Sequence, residues 1–353
     1  MNLLNATLWS NTVTMRHRWR FRRPQPGPLA WCAGALPVAA VVSVVTGPAA
    51  VPGLLPPAPS IIAGVAVTRT LLAGAITATL GLNVVPLLFS PREQAETTAV
   101  RLRAYRAAGW VALCWLLCAA ASIVAQTADL AGSWAVGPSA VGTYVTGFGG
   151  GQVLVGEMVA AAVAMGTAMR GSRSGTTIAA RILVMCAAAG LLLMVAGGHA
   201  GGLSQRWHDL AVVSLELHVF AAALWTGGLG AAVTLLAADR ALLARALPRY
   251  SPLAGACLGV AAVSGLLNAV VQLSARPGSS VVTELLTSDY GRLVILKAAC
   301  LLVLAGIGAH MRFRLLPAIR QARPASVIAW ACCELTVMGV AFGLAAVLER
   351  SAV

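Results

Sequence analysis

Long apolar runs, separated by short segments that carry either arginines or clusters of glycine, serine and proline, set the pattern of this chain. Runs long enough to cross roughly 30 Å of hydrocarbon as helix, about 20 residues each, fall near 29–46, 61–89, 107–127, 150–169, 178–196, 209–237, 251–273, 291–309 and 326–348. None shows the alternation of a barrel strand, and in lipid each backbone N–H and C=O must be satisfied within its own segment. The pattern predicts an all-α fold, a polytopic membrane bundle of about nine transmembrane helices. The connections 128–149 and 274–290 are rich in Gly, Ser and Pro and read as surface loops with little core of their own.

Composition changes this picture only by excluding alternatives. With 59% hydrophobic and 10% charged residues the chain is no ordinary soluble domain. Arginines are gathered in 1–28, 90–106, 170–181, 238–249 and 310–325, and the intervening loops hold few. By the positive-inside rule the amino terminus is cytoplasmic and the carboxyl terminus extracytoplasmic, in a multi-pass membrane protein. The same asymmetry accounts for most of the net charge of +14, so no nucleic-acid partner is needed. Trp31, Trp110 and Trp330 near the inner boundary and Trp134 and Trp207 near the outer one suit an interfacial belt. The first run follows a basic segment but has the length of a retained anchor rather than a cleaved signal. Met1 and Met15 are both candidate starts.

All eight cysteines lie inside the expected spans, which argues against a disulfide framework. Cys114 and Cys118, spaced i,i+4, share a helix face, and the reading as small apolar fillers outweighs that of a Cu(I) site. There is no P-loop and no Gly-x-Ser-x-Gly, so nucleotide hydrolysis and acyl transfer have no support, and the chain is read as not an enzyme.

Five charged residues fall within the spans: Arg69, Glu157, Glu216, Lys297 and Glu334. Each costs several kcal/mol unless paired or solvated. Counting about 1.5 Å per residue from the outer helix ends puts Arg69, Glu157, Glu216 and Lys297 roughly 9–12 Å below the outer surface. Two cations and two anions at one depth can neutralise one another, and a structural ion-pair cluster outweighs a role in ion passage; Lys297 is the sole lysine.

Three of the five histidines, His199, His208 and His218, fall within twenty residues where a loop turns into an apolar helix. Imidazole there needs either a buried partner or a ligand. His199 and His208 flank a short loop and suit one ion at the outer rim. His218, ten residues beyond His208, is about 15 Å deeper and turned by roughly 80°, so it belongs to a second station. Met338 and Glu334, i,i+4 on the last helix, and Met194 on the fifth are the companions that depth suggests. Histidine with methionine suits Cu(I); histidine with carboxylate suits Cu(II) or Zn(II). His17 and His310, among arginines, read as solvated.

The string from Gly198-His199-Ala200 through His208 to His218-Val-Phe-Ala-Ala-Ala-Leu-Trp225-Thr-Gly-Gly228 resembles the copper resistance protein D (CopD) family of bacterial inner-membrane proteins. Arg249-Tyr250-Ser251-Pro252-Leu253, Ser264-Gly265-Leu266-Leu267-Asn268-Ala269 and Tyr290-Gly291-Arg292-Leu293 with Lys297 extend the likeness across about 197–348. The resemblance implies a copper-handling protein that moves copper inward from the outer side, beside a separate CopC-like extracytoplasmic partner. It matches only His199, His208 and His218 as ligand positions. A second implication is the CopD-like half of an actinobacterial fusion with a CtaG-like oxidase assembly module.

The resulting organisation is a basic segment 1–28, membrane helices over 29–196, a CopD-like membrane domain over 197–348 and a short tail 349–353. The functional expectation is copper, as Cu(I) or Cu(II), captured by His199 and His208, with Met194 one turn inside His199, and passed to His218 with Met338 or Glu334. Its destination is the cytoplasm or cytochrome oxidase assembly. The rivals are a metal-free structural assembly subunit and a haem-binding electron carrier, the latter weakened because His218 has no histidine mate at its depth.

Overall fold

The computed structural model describes residues 26–46, 57–197, 205–274, 280–317 and 327–348. Eleven α-helices are seen there, and no strand: α1 (Pro26–Val45), α2 (Pro59–Leu87), α3 (Gln94–Ala131), α4 (Pro138–Gly147), α5 (Gly149–Ser174), α6 (Thr177–Ala196), α7 (Gln205–Leu236), α8 (Arg240–Ser274), α9 (Val281–Thr287), α10 (Asp289–His310) and α11 (Val327–Leu348), with a 3-10 turn at Pro91–Glu93 and a π-helical turn at Met311–Leu315. All but α4 and α9 are long and apolar enough to cross a membrane, which makes nine candidate spans among the described residues. The chain is thus an all-α polytopic bundle. Each span runs between the end that carries most of the arginines and the end where α6 stops and α7 starts. These are called below the arginine-rich and histidine-rich ends.

Two sequence expectations are corrected. The segments 128–149 and 274–290 are not plain loops: α4 and α9 form within them at the histidine-rich end. Pro138 opens α4, where a missing N–H costs nothing, and the Ser280 hydroxyl accepts from the Thr283 N–H to cap α9. Helices α3 and α8 also run well past the hydrocarbon stretches that announced them, because their polar extensions toward the arginine-rich end carry side chains that find partners. Arg245 pairs with Glu96 at 2.7 Å, and Arg249 grips Glu93 at 2.8 and 3.0 Å while its other bond reaches the Leu88 carbonyl. That guanidinium holds the Glu93 carboxyl down at about 2.

Helices α2 and α7 occupy the centre. Helix α2 packs on α1, α3, α6, α7 and α11, and α7 on α2, α6, α8 and α11. With no hydrophobic drive between helices in lipid, such packing depends on close approach and on interhelical hydrogen bonds. At the α2–α7 crossing Gly81 and Gly227 supply the approach: a Cβ on Gly81 would collide with the Gly227 backbone, and one on Gly227 with the Thr77 carbonyl. Helices α8 and α10 lie outside this centre and touch each other sparingly.

The tryptophans only partly follow the belt expectation. Trp110 is 72% and Trp134 46% exposed. Trp31 is instead buried, its ring edge-on to Phe342 at 5.7 Å and pressed onto Gly74, because α1 packs along α11 and α2. His310 is not simply solvated: it stacks on Trp330 at 4.3 Å.

Candidate functional site

His218 lies on α7 against α8, half-buried, with Nδ1 3.0 Å from the Ala261 carbonyl and 3.2 Å from the Ser264 hydroxyl. A carbonyl can only accept, and the Ser264 O–H is already given to Val260 O at 2.5 Å. Nδ1 therefore carries the proton and donates, which leaves Nε2 as the nitrogen with a lone pair. Ser214, one turn before His218 on the same face, donates to the Ser264 carbonyl at 3.2 Å and fastens the two helices at this level. Gly265 lets the ring sit close, since a Cβ there would stand 3.1 Å from His218 Cε1. Lys297, half-buried on α10, is within electrostatic reach of the imidazole.

Seven residues on, about 10 Å along the same face of α7, Trp225 donates its indole N–H to Glu334 Oε1 of α11 at 3.0 Å. The Tyr250 hydroxyl of α8 donates to the Trp225 carbonyl. All three side chains are buried, and Gly228 makes room for the Tyr250 ring, which a Cβ would strike. The Trp225-Thr-Gly-Gly228 string is thus a junction: Trp225 reaches α11, Gly227 admits α2 and Gly228 admits α8. Met338, 2% exposed, stands one turn from Glu334 toward the histidine-rich end, in the cluster that also holds Ala221, Trp225 and Ala261. Beyond this layer a cavity of about 370 Å³ runs from Glu334, Trp225 and Tyr250 to Arg312 and Phe313 at the arginine-rich end.

The remaining expected positions are spread over the bundle. His199 lies outside the described residues, and His208 is placed only as backbone in the first turn of α7. Met194 is half-buried near the end of α6, packed on the core shared by α2, α3, α5 and α6. Glu157 is 1% exposed on α5 and accepts from the Trp115 indole at 2.9 Å, with Oε1 left without a hydrogen bond. Arg69 is within electrostatic reach of Tyr144 on α4. Glu216 is half-buried on α7, turned about 200° from His218 by the helical period. Glu157 of α5 is bonded to Trp115 of α3, whereas Lys297 of α10 is within electrostatic reach of His218 on α7.

Among the described residues no three His, Cys, Asp or Glu side chains converge as a metal cage. Of the expected donors, the described residues offer one lone-pair imidazole nitrogen on α7, a buried thioether on the adjoining α11 and a buried carboxylate one turn below it. That is a sparse soft-to-hard series rather than a closed structural site. The indole partners of Glu334 and Glu157, and the role of Tyr250, were not foreseen. The available signal was a tryptophan at mid-span, away from both interfaces, at i+7 from the histidine.

Helices around a buried polar layer, with a ligand-capable histidine above it and a cavity below, define a polytopic membrane protein. Two family models match the chain: copper resistance protein D over residues 244–348, and the copper resistance protein D-like N-terminal domain over residues 59–205. The chain belongs to the copper resistance protein D family and is a copper-related multi-pass membrane protein. The match reaches into the amino-terminal helices, beyond the stretch where the motifs carried the likeness. No match was found among curated proteins or among solved structures.

Proposed function

We propose that this protein binds copper at its histidine-rich end and passes it inward, without covalent chemistry, through His218 to Met338 and Glu334. The observation that supports this reading is the Ala261 carbonyl 3.0 Å from His218 Nδ1, a partner that assigns the proton to that nitrogen. A metal-binding histidine usually donates its other N–H to a carbonyl, which fixes the ring and raises the basicity of the ligand nitrogen. The Ala261 carbonyl stands where that role requires it. From there Met338 and Glu334 descend along one face of α11, the thioether first and the carboxylate a turn below. An imidazole–thioether step suits Cu(I), and no residue need be oxidised or reduced. His199 and His208 are the capture positions, with Met194 close to the same end. Lys297, Glu157, Glu216 and Arg69 set the field around the path. The inner (plasma) membrane and a CopC-like donor fit this direction of movement. Supply to a CtaG-like oxidase assembly module would use the same sites with a different acceptor.

The test is copper per chain in detergent-purified protein after matched exposure and washing, for the wild type, a His199/His208/His218 triple alanine variant and Met338→Leu. The last removes a sulfur at nearly constant volume, so its fold is retained. About one or more coppers in the wild type, lost in the triple variant and reduced in Met338→Leu, with uptake into vesicles failing in parallel, is the expected outcome. Equal, near-zero copper in all three overturns the reading in favour of a metal-free scaffold.

A further inference from the structure

The cavity below Glu334 is larger and more apolar than a copper ion requires. Its volume of about 370 Å³ lies in the range of roughly 300–1,000 Å³ typical of organic ligand sites. Between the Trp225–Tyr250–Glu334 layer and the mouth the walls are mostly aliphatic, including Leu229, Leu247, Leu258 and Ile328. A bare or hydrated cation gains nothing from such walls, and an apolar space of this size favours hydrocarbon over water.

The mouth has the opposite character. Arg312 lines it and is exposed, and its guanidinium lies beside α8, 3.5 Å from where a Cβ on Gly255 would stand. The neighbouring arginines of α8 are committed, Arg245 to Glu96 and Arg249 to Glu93, whereas Arg312 makes no ion pair among the described residues. Because α8 and α10, which both line the cavity, touch only sparingly, an acyl chain has room to enter between them. A guanidinium with no ion pair among the described residues, at the mouth of an aliphatic slot, is the arrangement that receives a phosphate with an acyl chain behind it.

We propose that an anionic phospholipid of the leaflet at the arginine-rich end seats one acyl chain in this cavity, with its phosphate on Arg312. The proposal goes beyond the copper reading and does not depend on it. A seated chain closes the way from Glu334 to the arginine-rich end, so delivery on that side requires its withdrawal.

Native mass spectrometry of the full chain, released from micelles titrated with phosphatidylglycerol or phosphatidylcholine, tests it. The wild type should retain one phosphatidylglycerol per chain under conditions that strip phosphatidylcholine. Arg312→Gln should retain it about five-fold more weakly, the factor that corresponds to the ~1 kcal/mol an arginine contributes at an anionic surface. Gly308→Leu should abolish retention, since Gly308 lines the cavity and a Cβ there meets nothing within 4 Å, which leaves the fold intact while the space fills. Equal retention of both lipids, retention unchanged in Arg312→Gln, or oleate bound as tightly as phosphatidylglycerol would each overturn the proposal. Copper binding by the same preparations is measured separately, so failure of one reading leaves the other standing.

Discussion

Trp225 shows how a single side chain settles the state of its neighbours. Its indole N–H donates to a carboxyl group sealed between α7 and α11. Trp225→Phe keeps the ring but leaves Glu334 facing apolar walls, at a cost of about 1–3 kcal/mol for a stranded buried acceptor. Glu334→Gln keeps an oxygen for the indole and should cost less. Unfolding in mixed micelles reads both, and a larger loss for Glu334→Gln would refute the pairing. His218 offers a second residue-level check. Ser264→Ala removes one acceptor from Nδ1–H and leaves the Ala261 carbonyl, so copper affinity should fall modestly, by less than the loss in His218→Ala. At the arginine-rich end Glu93 is held near 2 against its ordinary value of 4.5. Because the folded value is the lower one, its contribution is fully present above about 4.5 and disappears as the pH falls toward 2. Glu93→Gln should flatten the acid limb of a stability profile across that window; an unchanged limb would show that the clamp contributes nothing. Of these features only the presence of His218 and Glu334 was legible beforehand. Trp225 and Glu334 are 109 positions apart, and no local pattern links residues that distant.

Among the elements, the nine spans were legible because hydropathy acts locally: a run of apolar side chains in lipid has helix as its only way to satisfy the backbone. The short helices α4 and α9 were missed because Gly and Pro read as breakers, yet Pro138 sits at a first turn and Ser280 at a cap, where such residues start helices. The Gly81–Gly227 contact was equally hidden, since glycine is frequent in membrane helices and only the crossing of α2 and α7 gives these two a purpose. Gly227→Leu should drive α2 and α7 apart and sharply reduce the monodisperse fraction in size-exclusion chromatography. Gly306→Ala, where a Cβ meets nothing within 4 Å, should behave as wild type. Similar profiles for the two would mean that the α2–α7 crossing is not a close-packed seam.

For the molecule as a whole, orientation is the property that arginine placement decides and helix packing does not. With the arginine-rich end cytoplasmic, a phosphatase fused to the carboxyl terminus should be active and a fluorescent reporter at the amino terminus bright; the reverse pattern would invert the proposed direction of copper movement. Class, span count and the presence of ligand-type residues in a lipid setting were determined by the sequence alone, because they depend on composition and on period along one chain. Which residues meet was decided only by the tertiary structure. It separated Glu157 and Lys297, placed at one depth by counting, into different helix groups. It joined His218 to Ala261 and Ser264, Trp225 to Glu334, and Arg249 to Glu93. Depth along a helix follows from residue number, but the rotation and neighbours of each helix follow from close packing among all of them, where a glycine or an indole far along the chain determines what a carboxylate faces.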